Sequence, residues 1–288
     1  MNVRSLTHCA WGLPLLVFAA DANAWGLYTH LYFAQYILLA SPMLDPRLQA
    51  AMKKFPQLVM AGACLPDLAL ISKHFKTTHQ WQQAADMLNS AASDEELAIA
   101  VGYTSHLFVD IVAHNHFVPA FEAKWSNDSL ITHVVAEWAM DAHITQHIQA
   151  RPFTLLRQHA DALTPFISKC FQVKIPQARK ALQRLAWADK ALRFSRLSSL
   201  LLNLVKRKDD ELLLKLNYYL LQTYEALTHF ELVLQGRIPS MYAELTHMSA
   251  TEMAAWREKC LSDVRLRLTT AVHVFQHYDS QFTAQHLS

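Results

Sequence analysis

Apolar residues recur at intervals of three and four along this chain, the period that gathers one stripe on the face of an α-helix. No turn dipeptide flanked by alternating apolar residues marks a β-hairpin. The pattern predicts an all-α fold, a multi-helix bundle. A first helix is predicted from about Tyr28 to Leu39, stopping near Ser41-Pro42, and a second from Pro46, fading at Pro56. The stretch Ala61 to Asp67 reads as a turn or helix end, because Pro66 disfavours helical backbone at the residue before it. Ser93-x-x-Glu96 has the form of a capping box and opens a long helix that carries Tyr103, His106 and Asp110 and ends at Pro119 or just before it. A further helix, from about Ser129 to Gln149, carries His133, Glu137 and Asp141, with Arg151-Pro152 closing it. Two later stripes, Ala181/Leu185/Ala188/Leu192 and Leu213/Leu216/Leu220/Leu227/Phe230/Leu234, mark amphipathic helices, with punctuation at Gly236 and Pro239.

Composition adds a compartment. Residues 1–24 read as a secretory leader: Arg4 gives the positive start, Ala10 to Ala20 a short apolar stretch, and Ala22-x-Ala24 the small residues of a cleavage site. The apolar run falls short of the ~20 residues that span a bilayer. Cleavage would make Trp25 the first residue and place the protein in the periplasm or outside the cell. Residues 25–288 show no linker or repeat and are expected to form one domain, with a chemistry-bearing half (25–150) and a supporting half (151–288). Lys and Arg number 26 against 24 Asp and Glu, so no strong pull on polyanions is expected. Of four cysteines, Cys9 leaves with the leader, and Cys64, Cys170 and Cys260 allow at most one internal disulfide; small buried hydrophobes are an equally good reading.

The candidate chemistry lies in the histidines, 16 in all. His106-x-x-x-Asp110 and His133-x-x-x-Glu137 each place an imidazole and a carboxylate on one helix face, where both can reach one ion. A carboxylate can also bridge two ions, which a histidine cannot. One pair alone is a weak signal. Two pairs on consecutive helices, with His30, Asp67 and His79 upstream and a free amine at Trp25, point to a multinuclear metal site that includes the new N-terminus. A further histidine comes from His114 or His116. On a continuing helix, His114 stays on the face of His106 and Asp110, whereas His116 points roughly 160° away unless the helix ends first.

This ordered set resembles the zinc-dependent phospholipase C and single-strand nuclease superfamily, secreted all-helical enzymes with a three-zinc cluster. The resemblance follows the ligand order from Trp25 to Glu137. It implies that the amine and carbonyl of Trp25, with His30, hold one zinc. Asp110 would bridge this ion to a second, held also by Asp67, His79 and His106. A third would sit between His114 or His116, His133 and Glu137. In the best-described members the third-zinc histidine lies at the spacing of His116, after a helix-breaking proline that this chain lacks there. The Trp-Gly opening looks like the nuclease branch; Leu65-Pro66-Asp67 and Ala113-His114 look like phospholipase C-like bacterial members.

The activity implied is hydrolysis of a phosphodiester by a metal-activated water, with Asp67 as general base or water-orienting group. The implied partner is phospholipid at a membrane surface, and no obligate protein partner. Nucleic acid is less favoured, since no base-stacking aromatics beside basic residues stand out. A non-catalytic metal-binding protein is the reading from another class. No Ser or Cys nucleophile elbow and no Cys-x-x-Cys-His haem signature occurs. His74 is an alternative to His79, and Asp141 could orient a ligand histidine or merely face solvent. His143, His147 and His159 read as surface residues, and His229, His247, His273, His277 and His286 match no ligand spacing. Trp81, Phe117, Phe121 and Trp125 could line a pocket but fit the core better. The basic run from Arg179 to Lys208 reads as a solvated helix face.

Overall fold

The computed structural model describes residues 26–40, 45–125, 130–239 and 248–267; the leader and Trp25 lie outside them. Helices account for nearly all regular structure, and no strand occurs among the described residues. Helix α1 spans Leu27–Ala40, α2 Pro46–Lys54 and α3 Pro56–Gly62. Pro46 and Pro56 each stand at the first position of a helix, where the missing N–H costs nothing. Pro56 therefore starts a new helix rather than only ending the previous one. The short α4, Leu68–Ile71, follows Asp67 directly, and α5 spans Trp81–Ser90.

Helix α6, Asp94–Val112, is the axis of the fold: every residue from Leu97 to Val112 is buried. The Ser93 hydroxyl accepts from the Glu96 N–H, while the Glu96 carboxylate accepts from Ala92 rather than from Ser93. The neighbouring α3 crosses at backbone contact. A Cβ on Gly102 would sit 1.9 Å from the Val59 carbonyl oxygen, and one on Gly62 would sit 2.3 Å from that of Ile99. Only glycine permits this approach, and it brings the chain entering Asp67 against the histidine of α6.

The expected break at Pro119 does not occur. One wide turn, Ala113–Phe117, closed by i→i+5 bonding, joins α6 to α7 (Val118–Trp125), and Pro119 sits in the first turn of α7. A proline there cannot serve the Asn115 carbonyl four residues back. The Trp256 indole N–H donates to that carbonyl at 2.6 Å instead, and the Tyr219 hydroxyl donates to the His116 carbonyl at 3.1 Å. By composition the stretch Asp94–Trp125 could cross a membrane, but its apolar window is wholly buried, so it is a core helix.

Helix α8, Leu130–Ile144, packs beside α7. It is followed by α9 (Pro152–Gln158), α10 (Ala160–Phe171), α11 (Ile175–Ser195) and α12 (Leu197–Lys206). Then come α13 (Leu212–Leu227), the short α14 (Phe230–Leu234) and α15 (Ala250–Leu266), which Ser249 and Glu252 open with a true capping box. One apolar cluster runs from Leu27 to Val264 and includes both halves of the chain. Cys64, Cys170 and Cys260 are free thiols, and Cys64 and Cys260 are buried as small hydrophobes.

Candidate metal centre

His114 links the two predicted i,i+4 pairs, its Nε2 lying 3.9 Å from both Asp110 and Glu137. Asp110 turns its two oxygens to different neighbours. Oδ2 lies 3.1 Å from His106 Nε2 and 3.6 Å from His79 Nε2. Oδ1 lies 3.3 Å from His30 Nε2 and 3.9 Å from His114 Nε2. Asp67 Oδ1 is 3.7 Å from His106 Nε2, and Glu137 Oε1 is 2.9 Å from His133 Nε2 and 3.9 Å from His114 Nε2. Three groups result whose donor atoms lie within 4.8 Å of one another: His30/His106/Asp110, Asp67/His79/His106 and His114/His133/Glu137.

Backbone contacts aim these side chains. His106 Nδ1 lies 2.8 Å from the Ala63 carbonyl, which fixes the proton on Nδ1 and turns the Nε2 lone pair towards Asp67 and Asp110. The Thr78 hydroxyl is 3.3 Å from His79 Nδ1, and the Tyr103 hydroxyl of α6 donates to the Thr78 carbonyl, holding that loop in place. The His30 and His106 rings stack with centroids 3.5 Å apart.

Asp67 Oδ1, His79 Nε2 and His106 Nε2 are buried and make no hydrogen bond among the described residues. A neutral imidazole lone pair facing carboxylate oxygens is repulsive unless a cation lies between them. Ligand atoms ~2.1 Å from a tetrahedral zinc stand about 3.4 Å apart, and the separations around Asp110 and Asp67 fall around that figure. The residues therefore fit a zinc-type ion. Without metal the carboxylates resist ionisation. Burial pushes Asp67 up to about 7 against the pull of His106, with Asp110 adding to the rise. Burial likewise pushes Glu137 up to about 7 against His133. Burial and the neighbouring His106 lower His79 to about 3. The site opens at two edges, since the side chains of His79 and His133 are 21% and 17% exposed while His30, His106 and Asp110 are at 0%.

The two downstream histidines lie in different surroundings. His114 joins His133 and Glu137, whereas the His116 ring lies beside Trp256 of α15, with centroids 5.4 Å apart. His74 is exposed and apart from the cluster. Asp141 does not face solvent. It is buried one turn beyond Glu137 and accepts from the Thr29 N–H at 3.0 Å, so it closes the start of α1 just before His30. Arg193 of α11 donates to the other oxygen of Asp141 and lies over the Tyr28 ring. A Cβ on Gly26 would fall 2.3 Å from the Asp141 Cγ, so only glycine lets the backbone before α1 pass there. No local pattern announced Arg193, because its partner lies 52 residues away in sequence. His143 is buried and meets Asn217 at 3.1 Å, correcting its reading as a surface residue; His147 is exposed, as read, and His159 is half-buried, 2.8 Å from Gln57. Trp81, Phe117 and Phe121 lie in the core and Trp125 packs against it.

A helical protein with three adjoining His/carboxylate groups suited to divalent cations is the class that the fold and site define. Within that class, the zinc-dependent phospholipase C family matches residues 29–195, more than half of the chain, and the chain belongs to this family. The match runs past Glu137 through α11 and includes Asp141 and Arg193. Comparison with curated proteins and with solved structures finds no match.

Proposed function

We propose that the protein is a secreted zinc-dependent phosphodiesterase that cleaves phospholipid on the glycerol side of the phosphate. Family membership supports the zinc-dependent hydrolase reading, and the observation that carries the site is Asp110, with one oxygen towards His30 and His114 and the other towards His79 and His106. In this reading His30 and Asp110, with the amine and carbonyl of Trp25, hold one ion. Asp67, His79, His106 and Asp110 hold a second. His114, His133 and Glu137 hold a third, and His116 has no ligand role. The part of the chain after the leader acts as one domain, its C-terminal helices supporting the ligand helices.

Bound zinc would supply a water of lowered pKa and neutralise phosphate charge. Asp67 would orient that water and take its proton, since it sits at the edge of the cluster beside the partly exposed His79. His106, locked by the Ala63 carbonyl, would hold Asp67 and Asp110 in register. The phosphate would enter at the His79 and His133 edges, where the site is partly exposed.

The test combines metal analysis of the mature protein with a substrate panel. About three zinc per chain and release of phosphocholine from phosphatidylcholine are expected. Loss of single-stranded DNA in place of lipid would transfer the activity to a nuclease, and bound zinc without any hydrolysis would leave a metal-binding protein. A form carrying an extra methionine before Trp25 is expected to lose one ion and most activity; full retention of both would remove Trp25 from the ligand set.

A further inference from the structure

Helices α11 and α12 meet at Arg196, whose left-handed backbone (φ 55°) turns the chain sharply. On the inner side Leu192, Leu197 and Leu201 pack against Val134 and Trp138 of α8, the residues that directly follow His133 and Glu137. The outer side carries apolar residues too. Phe194 is 90% exposed, Leu200 49% and Leu204 47%. The last two lie one turn apart on α12, and exposed Arg196, Arg207 and Lys208 stand at the two ends of that helix. Between Lys190 and Lys208 every charged residue is a cation; Asp189 precedes this run, and Asp209, Asp210 and Glu211 follow it. This is the basic run that the sequence presents as a solvated face, yet Phe194, Leu200 and Leu204 stand outward among its exposed polar residues, Ser195, Ser199 and Asn203. Three large apolar side chains in water carry a free-energy cost that folding of this chain does not relieve.

We infer that the α11–α12 corner is an interfacial docking surface for an anionic phospholipid bilayer. Cations flanking apolar residues on one exposed helix face are the arrangement that lies in the headgroup plane: the apolar side chains reach the acyl boundary and the cations meet lipid phosphates. A hydrophobic protein partner would not call for this one-sided charge. Because α12 rests on the ligand helix α8, docking there would hold the metal-bearing helix near the bilayer. The inference deepens the phospholipase reading and rests on it for its purpose, but the binding can be measured without turnover.

The zinc-loaded protein would be sedimented with vesicles of phosphatidylcholine, with and without phosphatidylglycerol. Binding is expected to require the anionic lipid and to weaken as salt rises. The triple variant F194S/L200S/L204S should lower vesicle partitioning roughly ten-fold or more. The charge variant R196E/R207E/K208E should abolish the preference for anionic lipid, at about five-fold per cation. Both should hydrolyse a short-chain phosphatidylcholine, monomeric in solution, at the wild-type rate while losing activity on vesicles. Unchanged partitioning of the triple variant, or no partitioning of the wild type, overturns the inference. So does a wild-type dimer that the triple variant dissolves, because a second copy would then be the occupant. If partitioning falls as expected but no form cleaves lipid, the docking surface stands and the phospholipase reading fails.

Discussion

The two histidine–carboxylate pairs are twins in sequence and unlike in space. His106 and Asp110 lie on a helix buried along its length, with His106 tied to the Ala63 carbonyl and Asp110 within 4 Å of four histidines. His133 and Glu137 lie on the flank of the site, where His133 keeps an exposed edge and Glu137 serves one group. The same spacing thus yields a shared centre in one case and an end position in the other. What differs is the number of neighbouring elements that converge on each pair.

The sharpest way to break this comparison is to neutralise each carboxylate. Asp110→Asn is expected to release two ions and to lower kcat/KM on the order of 10³-fold, Glu137→Gln to release one with a smaller loss. Equal zinc loss from the two variants, measured by metal analysis, would show that Asp110 is not shared. Next in size is the residue one turn beyond Glu137. Asp141→Asn and, independently, Gly26→Ala should weaken the ion next to His30 by ~10–100-fold in a chelator titration while leaving the His114/His133/Glu137 ion in place. Loss of all ions together would mean that Asp141 only maintains the fold.

The wide turn carrying His114 gives a third test. Trp256→Phe leaves the Asn115 carbonyl without its indole donor and should cost about 1–3 kcal/mol in unfolding experiments. A variant as stable as wild type would show that this C-terminal contact does not secure the turn. The smallest effect per step concerns protons. Asp67 and Glu137 are raised in the metal-free fold to about 7 from 3.8 and 4.5 respectively, so the folded state binds more protons than the unfolded chain between those values. Their contribution is fully present near pH 4 and is lost as pH rises towards 7, at no more than about 1.4 kcal/mol per unit for each carboxyl. His79, lowered to about 3 from 6.5, opposes one of these two protons below pH 6.5, while the raised His106 and His133 act with the carboxyls. Zinc-stripped protein should therefore still melt lower at pH 7 than at pH 5. Zinc-loaded protein should show the opposite trend, because zinc needs the ionised carboxylates. A flat or rising melting temperature for the stripped protein across that range would count against the buried carboxyls.

Much of the candidate site is written in spacing. The helical period placed His106 with Asp110 and His133 with Glu137, and the leucine stripes marked the supporting helices, because both signals are local and repeat with the turn of a helix. Pro119 misleads when read alone. Its missing N–H normally ends a helix, but Trp256, far along the chain, supplies the donor that the Asn115 carbonyl lacks. Asp141 and Arg193 were opaque for the same reason. A buried carboxylate that closes another helix and a surface carboxylate on a solvated face look identical until the partner is in view.

The sequence by itself determined an all-helical chain and the order of its candidate metal-binding side chains, since periodicity and residue chemistry act over a few residues. Only the tertiary structure decided that Asp110 stands between the groups, that His114 rather than His116 faces Glu137, and that leucines stand outward beside arginines on α12. Those choices depend on backbone approaches such as Gly62 to Ile99 and Gly102 to Val59, between segments about 40 residues apart, and on hydrogen bonds that only the packed helices bring within reach.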